Sequence, residues 1–290
     1  MLTMAKILLP VDFSERCFGA ARHAIRLARQ FQSEITVLHV LVPHLELGSV
    51  EVGSAVLTDL IEERQARARQ RLDTFACAEL AQLRVKRVLL EGDPAKKIVE
   101  YANTQEDDLI IMPTHGRGAF RRLLLGSVTA KVLHDADCPV WTGVHFAPQM
   151  PDAMKGLSHV LCAVNPDAQA ERVLHWACGL AGAFGARLTV VHAVTALDPR
   201  TESYYSSPEW RAYLIDAATA DIDKLRQKFA MDMAIEIKVG EASVVITAEA
   251  ERLEADVVVI GRGSASEFHG RLHSNAYAVI RSSPCPVASL

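Results

Sequence analysis

The chain repeats itself once, and that repeat constrains its fold more than any other feature. Lys6-Ile7-Leu8-Leu9-Pro10-Val11-Asp12 aligns with His159-Val160-Leu161-Cys162-Ala163-Val164-Asn165, and residues 33–40 align with 186–193, both at an offset of 153 residues. Further on, Glu91-Gly92-Asp93 matches Val239-Gly240-Glu241 and Asp108-Leu109-Ile110-Ile111 matches Asp256-Val257-Val258-Val259, at an offset of 148. Asp137-Cys138-Pro139-Val140 matches Pro284-Cys285-Pro286-Val287 at an offset of 147. A repeat this long is a whole domain rather than one turn of a solenoid, and 290 residues hold two such domains comfortably. We expect domains at 1–146 and 158–290, joined by a linker at 147–157 within the segment HFAPQMPDAMKGLS, which carries two prolines and no hydrophobic period.

Each copy alternates strand and helix, which implies a parallel sheet with helices on both faces. In copy one, apolar runs predict strands at 5–11, 34–41, 84–90, 108–112 and 139–143. Between them lie four helices. The first runs from an N-cap at Ser14 to about 31, with Ala20, Ala24, Leu27 and Ala28 on its apolar face. A long one covers about 54–82, and its charged face (Glu62, Glu63, Arg64, Arg67, Arg69, Arg71) reads as solvated surface. The third opens on Asp93-Pro94, a cap followed by a first-turn proline, and the fourth covers 127–136. The fold expected is therefore α/β: two tandem flavodoxin-like or Rossmann-like domains, each with a five-stranded parallel sheet.

One stretch of copy one suits an anion. The strand ending at Met112 runs into Pro113-Thr114-His115-Gly116-Arg117-Gly118, and nine residues after Gly116 come Gly126 and Ser127 at the mouth of a helix that continues through Val128 and Thr129. Glycine lets backbone approach a phosphate, and the amides of a helix N-terminus point at it. Arg117, Arg121 and Arg122 add positive charge. This run resembles the phosphate loop of the nucleotide-binding universal stress proteins, whose pattern is Gly, two residues, Gly, nine residues, Gly, then Ser or Thr. Gly116, Gly126 and Ser127 match it. Pro113 stands where the first glycine belongs, and it has no N–H to donate.

The resemblance extends over both halves of the chain. It implies that Pro10, Val11, Asp12, Val40, Met112, Gly116, Gly126, Ser127, Val128 and Thr129 line an adenine nucleotide, ATP or a close relative, with or without Mg. Pro113, Thr114, His115 and Arg117 complete the candidate site as loop residues. It further implies pairing of the two domains with each other, and homodimer formation is open to such a chain. Ligands of open α/β sheets bind beyond the carboxyl ends of the strands where strand order reverses, and Asp12 and the 112–116 loop lie past two such ends. Asp12 also suits a plain turn before the Ser14 helix. Copy two has lost much of the motif. Asn165 replaces Asp12, and His273 stands in the place of Gly126, so copy two is expected to bind the nucleotide weakly or not at all.

Other classes find no support in the sequence. A net charge of −4 with interspersed signs carries no basic stripe for nucleic acid, and no apolar run has membrane-spanning length. The six cysteines have no CxxC or zinc-ligand spacing and read as mostly buried small apolar residues in a reducing cytoplasm. His39 and His192 hold equivalent places in the second strand of each copy and read as structural. No GxxxxGK[ST], GxSxG or HExxH signature occurs. The sequence thus favours a nucleotide-responsive stress or regulatory protein. A scaffold that acts only through protein–protein contacts, and a slow ATPase using His115 or Asp12, remain as alternatives.

Overall fold

The computed structural model describes residues 2–43, 54–115, 125–143, 156–194, 208–229, 232–263 and 274–290. Two compact units emerge, one holding Thr3–Val140 and the other the residues from Lys155 onward. Along the first half of the chain, strands β1 (Lys6–Pro10), β2 (Glu34–Leu41), β3 (Arg84–Glu91), β4 (Leu109–Ile111) and β5 (Val140–Thr142) lie in the order β3-β2-β1-β4-β5. Helices α1 (Glu15–Phe31), α2 (Ser54–Thr74), α3 (Cys77–Leu80), α4 (Pro94–Gln105) and α5 (Ser127–Asp135) connect them. The second unit repeats the plan with β6 (His159–Ala163), β7 (Arg187–Val194), β8 (Ala234–Val239), β9 (Val257–Ile260) and β10 (Val287–Ser289) in the order β8-β7-β6-β9-β10. Its helices are α6 (Ala170–Phe184), α7 (Pro208–Arg226), α8 (Ala242–Arg252) and α9 (Ser274–Ser282). The recorded pairings of β1 with β2 and β4, and of β6 with β7 and β9, are parallel.

The central strands read as continuous apolar runs because helices cover both their faces. Ile7, Leu8 and Leu9 are fully buried, and so are Val160, Leu161 and Cys162. Burying each large aliphatic side chain contributes roughly 1.5–3 kcal/mol. The predicted apolar face of α1 is likewise inside, with Ala20, Ala24, Leu27 and Ala28 all at 0–1 % exposure.

An aspartate fixes the start of each central strand. Asp108 Oδ2 accepts the amides of Ala5 (2.7 Å) and Lys6 (2.9 Å), and Asp256 Oδ2 accepts those of Ser158 (2.6 Å) and His159 (2.9 Å). The Gly92 and Gly240 turns also match, at φ +139° and +157°, each amide donating to the last residue of the neighbouring strand, Leu41 and Val194.

Four expectations need correction. The long helix stops at Thr74, because Ala76 takes a left-handed conformation (φ 48°) as the chain turns to bury Phe75 and Leu80. Ser14 occupies the N-cap of α1 but makes no side-chain capping bond. Arg71 is not merely solvated: its guanidinium lies 4.4 Å from the centre of the Phe13 ring, and Arg64 donates to the Val42 carbonyl (2.6 Å). The cysteines are less uniform than expected. Cys17, Cys162 and Cys285 are buried, Cys138 and Cys178 are half-buried, and Cys77 is exposed, all as free thiols.

Candidate functional site

In the first unit β1 runs to β2 and β3 on one side, and β4 and β5 lie on the other, so strand order reverses between β1 and β4. Register sets what meets at this reversal. Ile7 and Leu8 pair with Leu109 and Ile110, and Pro10 pairs with Leu38. Two residues past the Pro10–Leu38 pair stand Asp12 and Val40, the latter still within β2, and continuing the Leu8–Ile110 register by four residues sets Thr114 level with Asp12.

The β4–α5 connection is closed by backbone. The Gly126 amide donates to the Thr114 carbonyl (2.9 Å), and Thr129 Oγ1 donates to the Pro113 carbonyl (3.0 Å). A Cβ on Gly126 would lie 3.2 Å from that same Thr114 oxygen and 3.6 Å from His115 Cα. A side chain there would crowd the loop, so glycine suits the close approach rather than its φ, which is an ordinary −60°. Gly126 is also the N-cap of α5 and offers no side chain to cap it. Pro113 fits the path at its fixed negative φ and contributes its carbonyl to Thr129.

His115 is 9 % exposed and shares a 3.0 Å hydrogen bond between Nδ1 and Thr114 Oγ1. Its Nε2 is buried with no hydrogen-bond partner among the described residues. Burial first, and then the charge of Arg16, hold its pKa below the usual histidine range.

Asp12 is engaged locally. Its Oδ1 accepts the Ser14 amide (2.9 Å) and the Cys17 thiol (3.1 Å), the turn geometry that its residue type suits. Burial, then the Asp12 carboxylate, push the Cys17 thiol up to about 11, so it remains protonated and donating. Arg16, Cys17 and Phe13 (φ 63°) are neighbours of the site that sequence reasoning missed. Cys17 lies five residues after Asp12, at the third position of α1, close enough in sequence to suggest contact, whereas nothing in the sequence marks Phe13 as left-handed.

Of the predicted site residues, contacts join Pro113, Thr114, His115, Gly126 and Thr129 directly. Pro10, Val11, Val40 and Met112 form the buried floor at the strand ends. Ser127 is exposed and Val128 half-buried at the start of α5. Gly116 and Arg117 lie outside the described residues.

The second unit carries a cavity of about 440 Å³ beyond the ends of β6, β7 and β9, bounded also by α6, α8 and α9. His192 is on its wall, and Asn165, Asp167 and Gln169 form its polar lining from the β6–α6 connection. Among the described residues no group of three His, Cys, Asp or Glu side chains could hold a metal ion, and no helix is long and apolar enough to cross a membrane.

Fold and site together define a tandem α/β protein of Rossmann-like type, with Gly126 closing onto Thr114 at a helix mouth beside the topological switch point of its first half. The family model for the universal stress protein family matches residues 4–142 and again 156–289, and the chain belongs to that family, whose members act in stress response. A universal stress protein of Methanocaldococcus jannaschii is 35 % identical over 136 residues, 47 % of this chain and 79 % of that protein. One from Thermus aquaticus is 33 % identical over 134 residues, 46 % of this chain and 94 % of that protein. The crystal structure of a universal stress protein from Archaeoglobus fulgidus covers 98 % of this chain and 97 % of its own at TM-score 0.70 and 23 % identity, a likeness of fold.

Proposed function

We propose that the first copy binds an adenine nucleotide, ATP or a close relative, and that the protein works as a regulatory binding module in the stress response. The observation that carries this reading is the closure of Gly126 onto Thr114 at the uncapped mouth of α5, beside the unpartnered Nε2 of His115. Backbone without a side chain, a helix N-terminus and a buried nitrogen seeking a partner together suit a phosphate. Adenine as the base, Asp12 and Val40 as its neighbours, and Gly116 and Arg117 as further loop contacts rest on the family resemblance. Any Mg would arrive on the phosphates, since no cluster of protein ligands stands ready for it among the described residues. Asp12 Oδ1 is committed to its turn, which disfavours it as a catalytic base and favours binding over turnover.

The same reading places the protein in the cytoplasm, with its two copies paired and with partner choice responding to occupancy. Mass analysis of ligand released from the denatured purified protein, followed by calorimetric titration with ATP, tests it. Co-purified adenine nucleotide or saturable ATP binding is expected. Absence of both would leave a scaffold that acts through protein–protein contacts.

A further inference from the structure

The two copies place their strand-two histidines in different surroundings. His39 Nδ1 donates to the Val11 carbonyl (2.7 Å) and His192 Nδ1 to the Val164 carbonyl (2.9 Å). A carbonyl only accepts, so Nδ1 carries a proton in both, and Nε2 of the neutral ring is an acceptor. In copy one the Phe13 ring covers His39, with centroids 4.3 Å apart. The residue equivalent to Phe13 in copy two is Pro166, which is exposed, and His192 opens instead onto the 440 Å³ cavity. His192 is only 9 % exposed, and its hydrogen bond among the described residues is the one from Nδ1 to Val164, which leaves Nε2 without a donor there.

The rest of the cavity narrows what would satisfy that acceptor. Val164, Val173, Ile246, Ile260 and Val279 supply apolar wall, and the volume falls within the range of small-molecule sites. At its edge, Asp167 Oδ1 already accepts the Gln169 amide (2.8 Å), and Oδ2 accepts from Asn165 Nδ2 (3.3 Å). The first amide at the α6 mouth is thus taken by a carboxylate, whose charge opposes an incoming anion. Arg262 is itself buried and is not among the described walls.

We propose that copy two is a separate binding site for an uncharged nitrogen heterocycle that presents an N–H donor to His192 Nε2 and carries no phosphate. The site stands whether or not copy one binds a nucleotide. Apolar walls accommodate the ring, His192 reads its donor edge, and Asp167 excludes the phosphorylated form.

Calorimetric titration of the full chain in saturating ATP tests this, with adenosine as the probe that has an exocyclic N–H and purine riboside as the probe that lacks it. Adenosine should bind with ATP present. Purine riboside should bind about tenfold more weakly, the effect of leaving one buried acceptor unpaired. His192→Leu should remove the adenosine binding. Because that change also deletes the bond to Val164, the two-probe comparison on the unaltered chain stands as an independent measurement. A first copy that ignores ATP does not alter the readout, since only the adenosine binding removed by His192→Leu is counted. Equal affinity for the two probes, no adenosine binding at millimolar concentration, or ATP displacing adenosine from the His192-dependent site would each overturn the proposal.

Discussion

The Gly126 amide donates to the Thr114 carbonyl at 2.9 Å, and a Cβ on Gly126 would press to 3.2 Å of that same oxygen. One contact therefore closes the loop and crowds any side chain at the mouth of α5. Gly126→Asp should eliminate ATP binding by copy one, since it crowds Thr114 and places a carboxylate where the phosphate would lie. Circular dichroism should remain that of a folded chain while the calorimetric heats vanish. Retained affinity in a folded variant would refute the placement of phosphate at this helix.

Pro113 offers its carbonyl to Thr129 and no amide to anything. Glycine there keeps the Thr129 bond and restores one N–H. A hydrogen bond to a charged group contributes roughly 1.5–3 kcal/mol, so Pro113→Gly should tighten ATP binding by about one to two orders of magnitude. The same titration reads it, and unchanged affinity would show that the missing amide never belonged to the grip.

Gln32 ends α1 in the left-handed region at φ 55°, whereas the equivalent residue of copy two, Gly185, ends α6 at φ 63°. A non-glycine residue strains there and glycine does not, although glycine also gains entropy in the unfolded chain. Gln32→Gly should stabilise copy one by up to about 1 kcal/mol. Urea unfolding would detect it as a raised midpoint at unchanged slope. A lowered midpoint would mean that the Gln32 side chain contributes more than its strain costs.

Buried histidines give the protein an acid limb. Burial, then Arg26, lower the His23 pKa to about 3, with Arg26 Nη2 donating to its Nδ1 (3.0 Å). His159 is also held low, first by burial. Its Nδ1 donates to the Leu253 carbonyl (3.0 Å), and Nε2 accepts from Thr189 Oγ1 (2.8 Å). Both bind protons more readily when unfolded, so their contribution is complete above about pH 6.5 and is lost as pH falls toward the folded value. The loss from a fully shifted histidine is about 1.4 kcal/mol per pH unit. Asp107, pushed up to about 6 chiefly by burial, acts in the opposite sense between about pH 4 and 6, so the whole-protein curve shows only the balance. His23→Gln should flatten the stability profile between pH 6 and 4 relative to the parent. Parallel profiles would show that His23 titrates normally.

Much of this architecture was legible in the residues alone. The offset between Asp12 and Asn165 announced two domains, and unbroken apolar runs such as Ile7-Leu8-Leu9 announced strands covered on both faces. Asp93-Pro94 marked the start of α4, and the Asp93 carboxylate does accept the Lys96 amide (2.9 Å). Gly126 and Ser127 marked a helix mouth. These signals are local: periodicity, capping chemistry and backbone freedom act within a few residues, so a linear reading recovers them.

Tertiary structure decided what depends on neighbours distant in sequence. It broke the long helix at Ala76, where burying Phe75 outweighs helix propensity, and it laid the exposed Arg71 guanidinium over the Phe13 ring. Strand order alone brought Val40, Asp12 and Thr114 to one level, because parallel register aligns residues from three separate strands. The same physics separated the two histidines. Identical strand positions made His39 and His192 look interchangeable, yet a left-handed Phe13 covers one ring and Pro166 leaves the other facing a cavity. Sequence alone marked both histidines as structural residues of the second strand. Packing over them decided which one keeps an open acceptor.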